Sequence, residues 1–121
     1  MRKFSEVGNE KLYVNFLDVD FKKRYFDELK KLHDNISNID LDSTDEIEAL
    51  SNMIDEAKMF FDAVWEEGTF DKIFEGRKDL DAIYDVLMKI TDMKDEQETA
   101  FALKCAEYTG KVLGENNESS N

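Results

Sequence analysis

From Asp20 onward the apolar side chains recur every three or four residues, with Phe21, Tyr25, Leu29, Leu32 and Ile36 on one stripe and Phe26 widening it. Lys22, Lys23, Lys30 and Lys31 take the other side, so the spacing predicts an amphipathic helix ending near Asn38, with Asp18 or Asp20 capping its start. Residues 39–42 read as a connection. Ser43 followed by Glu46 has the form of a capping box, in which each side chain satisfies the other residue's free backbone N–H. A second helix is expected from there, apolar at Ile47, Leu50, Ile54, Ala57, Phe61 and Val64, with Met53, Phe60 and Trp65 adjoining. Gly68 is placed to stop it, Thr69 to cap a short third helix over 70–75, and Gly76 to end that one.

Asp79 then caps a fourth helix, whose stripe Leu80, Ile83, Leu87, Ile90, Gln97, Phe101, Cys105, Tyr108 and Val112 runs to Gly114. The polar stretch 91–98 weakens the stripe, so the segment is either two helices meeting near residues 91–95 or one helix projecting beyond a small core. No Pro or Gly interrupts it there, and these are the usual causes of a sharp break, which favours one continuous or gently bent helix. Ahead of the helices, residues 11–17 alternate Leu12, Val14 and Phe16 with Tyr13, Asn15 and Leu17 and read as a strand. A lone strand leaves its backbone unpaired, so it pairs with residues 2–7 through Gly8-Asn9, pairs with another copy, or is irregular.

The expected fold is therefore mainly α: a small domain of about four helices over residues 1–114, with a short N-terminal β-hairpin and a long C-terminal helix, and a mobile acidic and polar tail at 115–121. Composition agrees. The chain of 121 residues has no proline and only five glycines, which disfavours a turn-rich all-β fold. Its length fits one domain.

Charge narrows the partners. Twenty-nine acidic against sixteen basic side chains leave a net −13, a field that repels phosphate backbones and anionic lipid headgroups, so neither nucleic acid nor a membrane is expected as a partner. The imbalance is uneven: residues 1–33 are net +2 and residues 34–121 net −15. A basic protein partner would meet the later part, although an acidic surface also serves solubility alone. A single cysteine, Cys105, and the absence of a secretory-type or membrane-spanning apolar run point to a cytoplasmic protein.

Catalytic chemistry finds little to build on. His33 is the sole histidine and lies at the edge of the first helix's stripe, where partial burial in packing is expected; Cys105 is expected as a small core residue. Asp18-x-Asp20 and Asp40-x-Asp42-x-Thr44 alternate as calcium ligands do, but counting from Asp40 the sixth and twelfth positions are Asp45 and Ser51, not Gly and Glu. Capping and turns account for these aspartates. No phosphate-binding glycine loop is present, and no enzyme, metal or cofactor is expected.

The richest segment runs from residue 60 to 77. Phe60, Phe61, Trp65, Phe70 and Phe74 crowd fifteen residues, followed by Arg77. Such a cluster either packs around a tight helix–turn–helix or supplies an interface, in which case these five rings make the contacts and Arg77 is the polar anchor.

The run Asn9-Glu-Lys-Leu-Tyr-Val-Asn15, then Asp20-Phe21, Phe60-Phe61, Gly68-Thr69, Lys72-Ile73-Phe74, Gly76-Arg77 and Leu80 resembles the tail assembly chaperones of long-tailed phages and prophages of Gram-positive bacteria, over about residues 9–90. The long acidic C-terminal helix departs from the better-known members. The resemblance implies a non-enzymatic protein of the host cell cytoplasm that assists tail assembly by binding the tape measure or another tail protein, as a homo-oligomer. It carries over no catalytic residues. An acidic phage-encoded inhibitor that mimics nucleic-acid charge and blocks a host DNA-binding protein is the other reading that the charge supports.

Overall fold

The computed structural model describes residues 4–40, 42 and 45–119. Two short strands, β1 (Phe4–Val7) and β2 (Glu10–Tyr13), pair antiparallel with Phe4 opposite Tyr13 and Val7 opposite Glu10. Gly8 takes φ +62 at the first of the two loop positions, as a type II′ hairpin turn demands. A side chain there would also collide with Ile73, whose carbonyl oxygen would lie 2.8 Å from a Cβ, so the turn sits directly against the end of the third helix.

The hairpin partner is thus residues 4–7, but the strand stops at Tyr13 and not at residue 17. Val14 and Phe16 are buried all the same, because side chains replace the missing partner strand. Gln97 accepts from the Phe16 N–H at 2.8 Å and donates to the Val14 carbonyl at 2.7 Å, and the Trp65 indole N–H donates to the Tyr13 carbonyl at 2.8 Å. Three distant side-chain bonds thereby satisfy backbone that a ladder would otherwise pair.

Helix α1 spans Val19–Ser37, α2 Glu46–Val64, α3 Thr69–Phe74 and α4 Leu80–Ser119. Asp18 caps α1, its Oδ1 accepting from the N–H groups of Asp20 and Phe21. The cap of α2 is Asp45, which accepts from the Ile47 N–H at 3.0 Å, so that helix begins too late for a Ser43–Glu46 box; Ser43 itself lies outside the described residues. Helix α2 ends at Trp65, not Gly68. Gly68, at φ +92, instead turns the chain into α3, and Thr69 is the first helical residue, its hydroxyl donating to the Glu66 carbonyl. The cap bond for α3 comes from the preceding helix, where Asp62 accepts from the Phe70 N–H at 2.9 Å.

Glu75 and Gly76 both adopt the left-handed conformation that closes α3. Asp79 then starts α4, accepting from the N–H groups of Asp81 and Ala82. From Leu80 the helix continues without a break through 40 residues, or ~60 Å. Its backbone reaches Ser119, inside the stretch expected as a tail; residues 120 and 121 lie outside the described part.

Helices α1 and α2 are the main packed pair, and α3, the hairpin and the first half of α4 close the core around Phe16, Phe21, Phe61, Val64, Phe74 and Ile90. Among the described residues no buried side-chain polar atom lacks a partner. Among the described residues no helix is long and apolar enough to cross a membrane.

Candidate protein-binding surface

The ring cluster of the 60–77 segment turns inward. Phe60, Phe61, Phe70 and Phe74 are buried, with Phe61 packed against Phe74 at 5.4 Å and Phe70 against Phe74 at 4.7 Å between ring centroids. Phe60 meets Tyr25 of α1 edge-on at 5.4 Å, and Phe16 meets Phe21 at 5.2 Å. The core absorbs so many rings because the 14–17 loop, α1, α2 and α3 each contribute one or two. These four phenylalanines offer nothing to a partner.

Trp65 is half-buried, stacked on Phe61 and committed through its indole N–H to the Tyr13 carbonyl. Beside it lies an open groove lined by Phe4, Lys11, Tyr13, Arg24 and Glu66. Arg24 there is tied down, its Nε donating to the Val64 carbonyl at 2.6 Å and its guanidinium lying 5.6 Å from the Phe21 ring centroid. Of the six expected contact residues only Arg77 is exposed.

Other expectations also reverse in position. His33 is exposed at the edge of the α1 stripe. Cys105 is exposed as well, since no other element reaches that part of α4. Ile47 and Leu50 are open to solvent on the first turns of α2, where Ala49 is the residue that is buried. A depression between α1 and α2, lined by Glu28, Leu32, Asn35, Glu56 and Phe60, has a volume of about 170 Å³ and the groove beside Trp65 about 390 Å³, below or near the lower end of the ~300–1,000 Å³ of typical small-molecule sites. Among the described residues no group of three or more His, Cys, Asp or Glu side chains is arranged to hold a metal ion.

The unpartnered apolar surface is elsewhere, on α4. The helix leaves the body at a polar clamp: Gln97 holds the 14–16 backbone, and Glu98 pairs with Lys22 at 3.0 Å and Lys94 at 2.8 Å. Both lysines, with the Lys94 hydrogen bond first, hold the Glu98 carboxyl below its ordinary value. Beyond the clamp all thirteen residues from 101 to 113 are exposed.

They are not the residues of a solvated helix. Phe101, Leu103, Tyr108, Val112 and Leu113 are among them, and the charged residues are only Lys104, Glu107 and Lys111. At ~100° per residue these three fall on one side. The remaining circumference has two apolar strips. Phe101, Cys105, Tyr108 and Val112 continue in register the core-facing stripe of Ile83, Leu87, Ile90 and Gln97. On the far side lie Leu103, Ala106, Gly110 and Leu113. The sequence contained this signal in a simple form, since the two longest other helices are 19 residues each and cannot cover a helix of 40.

These features define a small helical domain with an N-terminal hairpin and a projecting, apolar C-terminal helix. The chain belongs to a family of unknown function, DUF6673, whose model matches residues 8–119 and so takes in the turn and second strand of the hairpin, the packed helices and the projecting half of α4. No curated protein and no solved structure matches it.

Proposed function

We propose that this protein is a non-enzymatic phage or prophage protein that assists tail assembly in the host cytoplasm by binding another tail protein, with the tape measure as its client. The observation that carries the reading is the projecting half of α4, thirteen consecutive exposed helical residues of which five are large and apolar. Exposed apolar surface on an otherwise acidic, soluble chain is the usual mark of a protein-interaction site. A helical client suits the far strip, where Ala106 and Gly110 between Leu103 and Leu113 let a second helix approach closely. The resemblance of residues 9–90 to tail assembly chaperones supplies the identity of the client.

The test is a pull-down of tape measure fragments by the full chain, comparing wild type with Leu103→Glu and Leu113→Glu. Retention by wild type at high salt and its loss in both variants is the expected result. A chain that retains no tail protein overturns the assignment. The acidic-inhibitor reading rests on the net −15 of residues 34–121 and predicts the opposite pattern: capture of a basic host protein that both variants preserve and high salt abolishes.

A further inference from the structure

The other strip of the projecting helix has a size pattern of its own. Phe101, Cys105, Tyr108 and Val112 alternate large, small, large, small along one face. The order inverts about the point midway between Ala106 and Glu107. If a second such helix lies antiparallel with its two-fold axis there, Phe101 faces Val112 and Cys105 faces Tyr108, each twice. Every ring then meets a small side chain, which is how facing layers interdigitate without voids or overlap. A parallel pair in register would set Phe101 against Phe101 and Cys105 against Cys105, crowding two layers and leaving two underfilled.

Charge selects the same arrangement. Residues 1–96 hold fourteen basic and twenty-five acidic side chains, a net −11, whereas 100–114 carry only Lys104, Glu107 and Lys111. A parallel pair brings two strongly acidic bodies together at one end. An antiparallel pair sets the bodies at opposite ends, ~28 Å apart along the axis and beyond the ~8–10 Å screening length of physiological salt, with residues 115–119 of each helix reaching alongside residues 94–98 of the other. A self-complementary patch of this kind closes into a two-fold dimer and stops growing.

The geometry points to an antiparallel homodimer in which the second copy's projecting α4 covers Phe101, Cys105, Tyr108 and Val112. The contact leaves the Leu103–Leu113 strip open on both copies, so it stands or falls independently of which client is bound. It also places two copies of the client-facing strip on opposite sides of one assembly.

The experiment uses the full chain in a Cys105→Ala background. Val112→Cys and Phe101→Cys together should give a disulfide-linked dimer under mild oxidation, because residues 101 and 112 face each other across the axis. Within one chain they are ~16 Å apart along the helix and cannot bridge. Either cysteine alone should give no crosslink. Sedimentation of the wild-type chain should show twice the 14.1 kDa monomer at tens of micromolar, and Phe101→Glu should return it to monomer. All four positions are exposed in one chain, so the body's thermal transition serves as a control that should not move. A wild-type chain that stays monomeric, or single-cysteine variants that crosslink as readily as the double one, would overturn the proposal.

Discussion

The two halves of α4 carry one stripe and meet opposite surroundings. In residues 80–97 Ile83 and Ile90 are buried against the hairpin and α2; in residues 98–113 the equivalent Phe101 and Tyr108 are 51% and 70% exposed. Nothing in the spacing of the apolar residues changes at the boundary. What changes is the supply of other chain: α1 and α2 are each ~28 Å long, about half the length of α4. Periodicity therefore states that a helix has an apolar face, while the lengths of the other elements decide whether the chain itself covers that face or leaves it for a partner.

The largest expected effect comes from treating equivalent rings alike in the two halves. Phe61→Ala removes a fully buried ring that touches Phe60, Trp65, Phe70 and Phe74. A loss of ~3–5 kcal/mol is expected, a large share of the ~5–15 kcal/mol that a domain has in total. Tyr108→Ala should leave the unfolding of the monomeric body within ~0.5 kcal/mol of wild type. Urea titrations of both variants at low protein concentration check the contrast, which disappears if the projecting half packs on its own body in solution.

Most of the architecture could be read before any coordinates, because four strongly periodic segments separated by Gly and Asp caps leave few alternatives. Two of the misplacements share a cause: a local rule was satisfied by a side chain from another element. The strand stops at Tyr13 because Gln97, 83 residues away, takes over at Val14. Thr69 does not cap α3 because Asp62 on the preceding helix bonds the Phe70 N–H. The aromatic cluster has the same origin. Five rings in fifteen residues look like a surplus when counted along the chain, but each lies opposite rings from another element. The apolar projecting helix, by contrast, was readable as a mismatch of helix lengths.

The clamp at the junction tests the boundary itself. Gln97→Leu keeps the side chain's bulk but removes both bonds, stranding the Phe16 N–H and the Val14 carbonyl in a partly buried setting. A cost of ~2–3 kcal/mol is expected. Hydrogen exchange at the Phe16 amide should accelerate more than at amides in the middle of α1. Equal acceleration throughout would mean the residue supports the whole fold and not the junction.

The smallest effect is electrostatic and lies at the same junction. Hydrogen bonds from Lys94 and Lys22 hold the Glu98 carboxyl below its ordinary 4.5, and the Tyr13 hydroxyl, at 2.6 Å, holds Asp18 below its ordinary 3.8. Both groups release their protons more readily folded than unfolded, so the stability they add is complete above those ordinary values. It is lost as pH falls from about 4.5 toward the lowered folded values. Glu98→Gln and Asp18→Asn should therefore each lower the thermal midpoint slightly at pH 7 and flatten its decline between pH 5 and 3. Both sites are well solvated, so the two shifts should be small and salt-sensitive. In Phe101→Glu, which frees the projecting half from a second copy, the acid response of these two groups should be unchanged, because the clamp belongs to the body. A variant that altered both the dimer and this acid response would show that the two halves of α4 are coupled across Gln97 and do not act as separate surfaces.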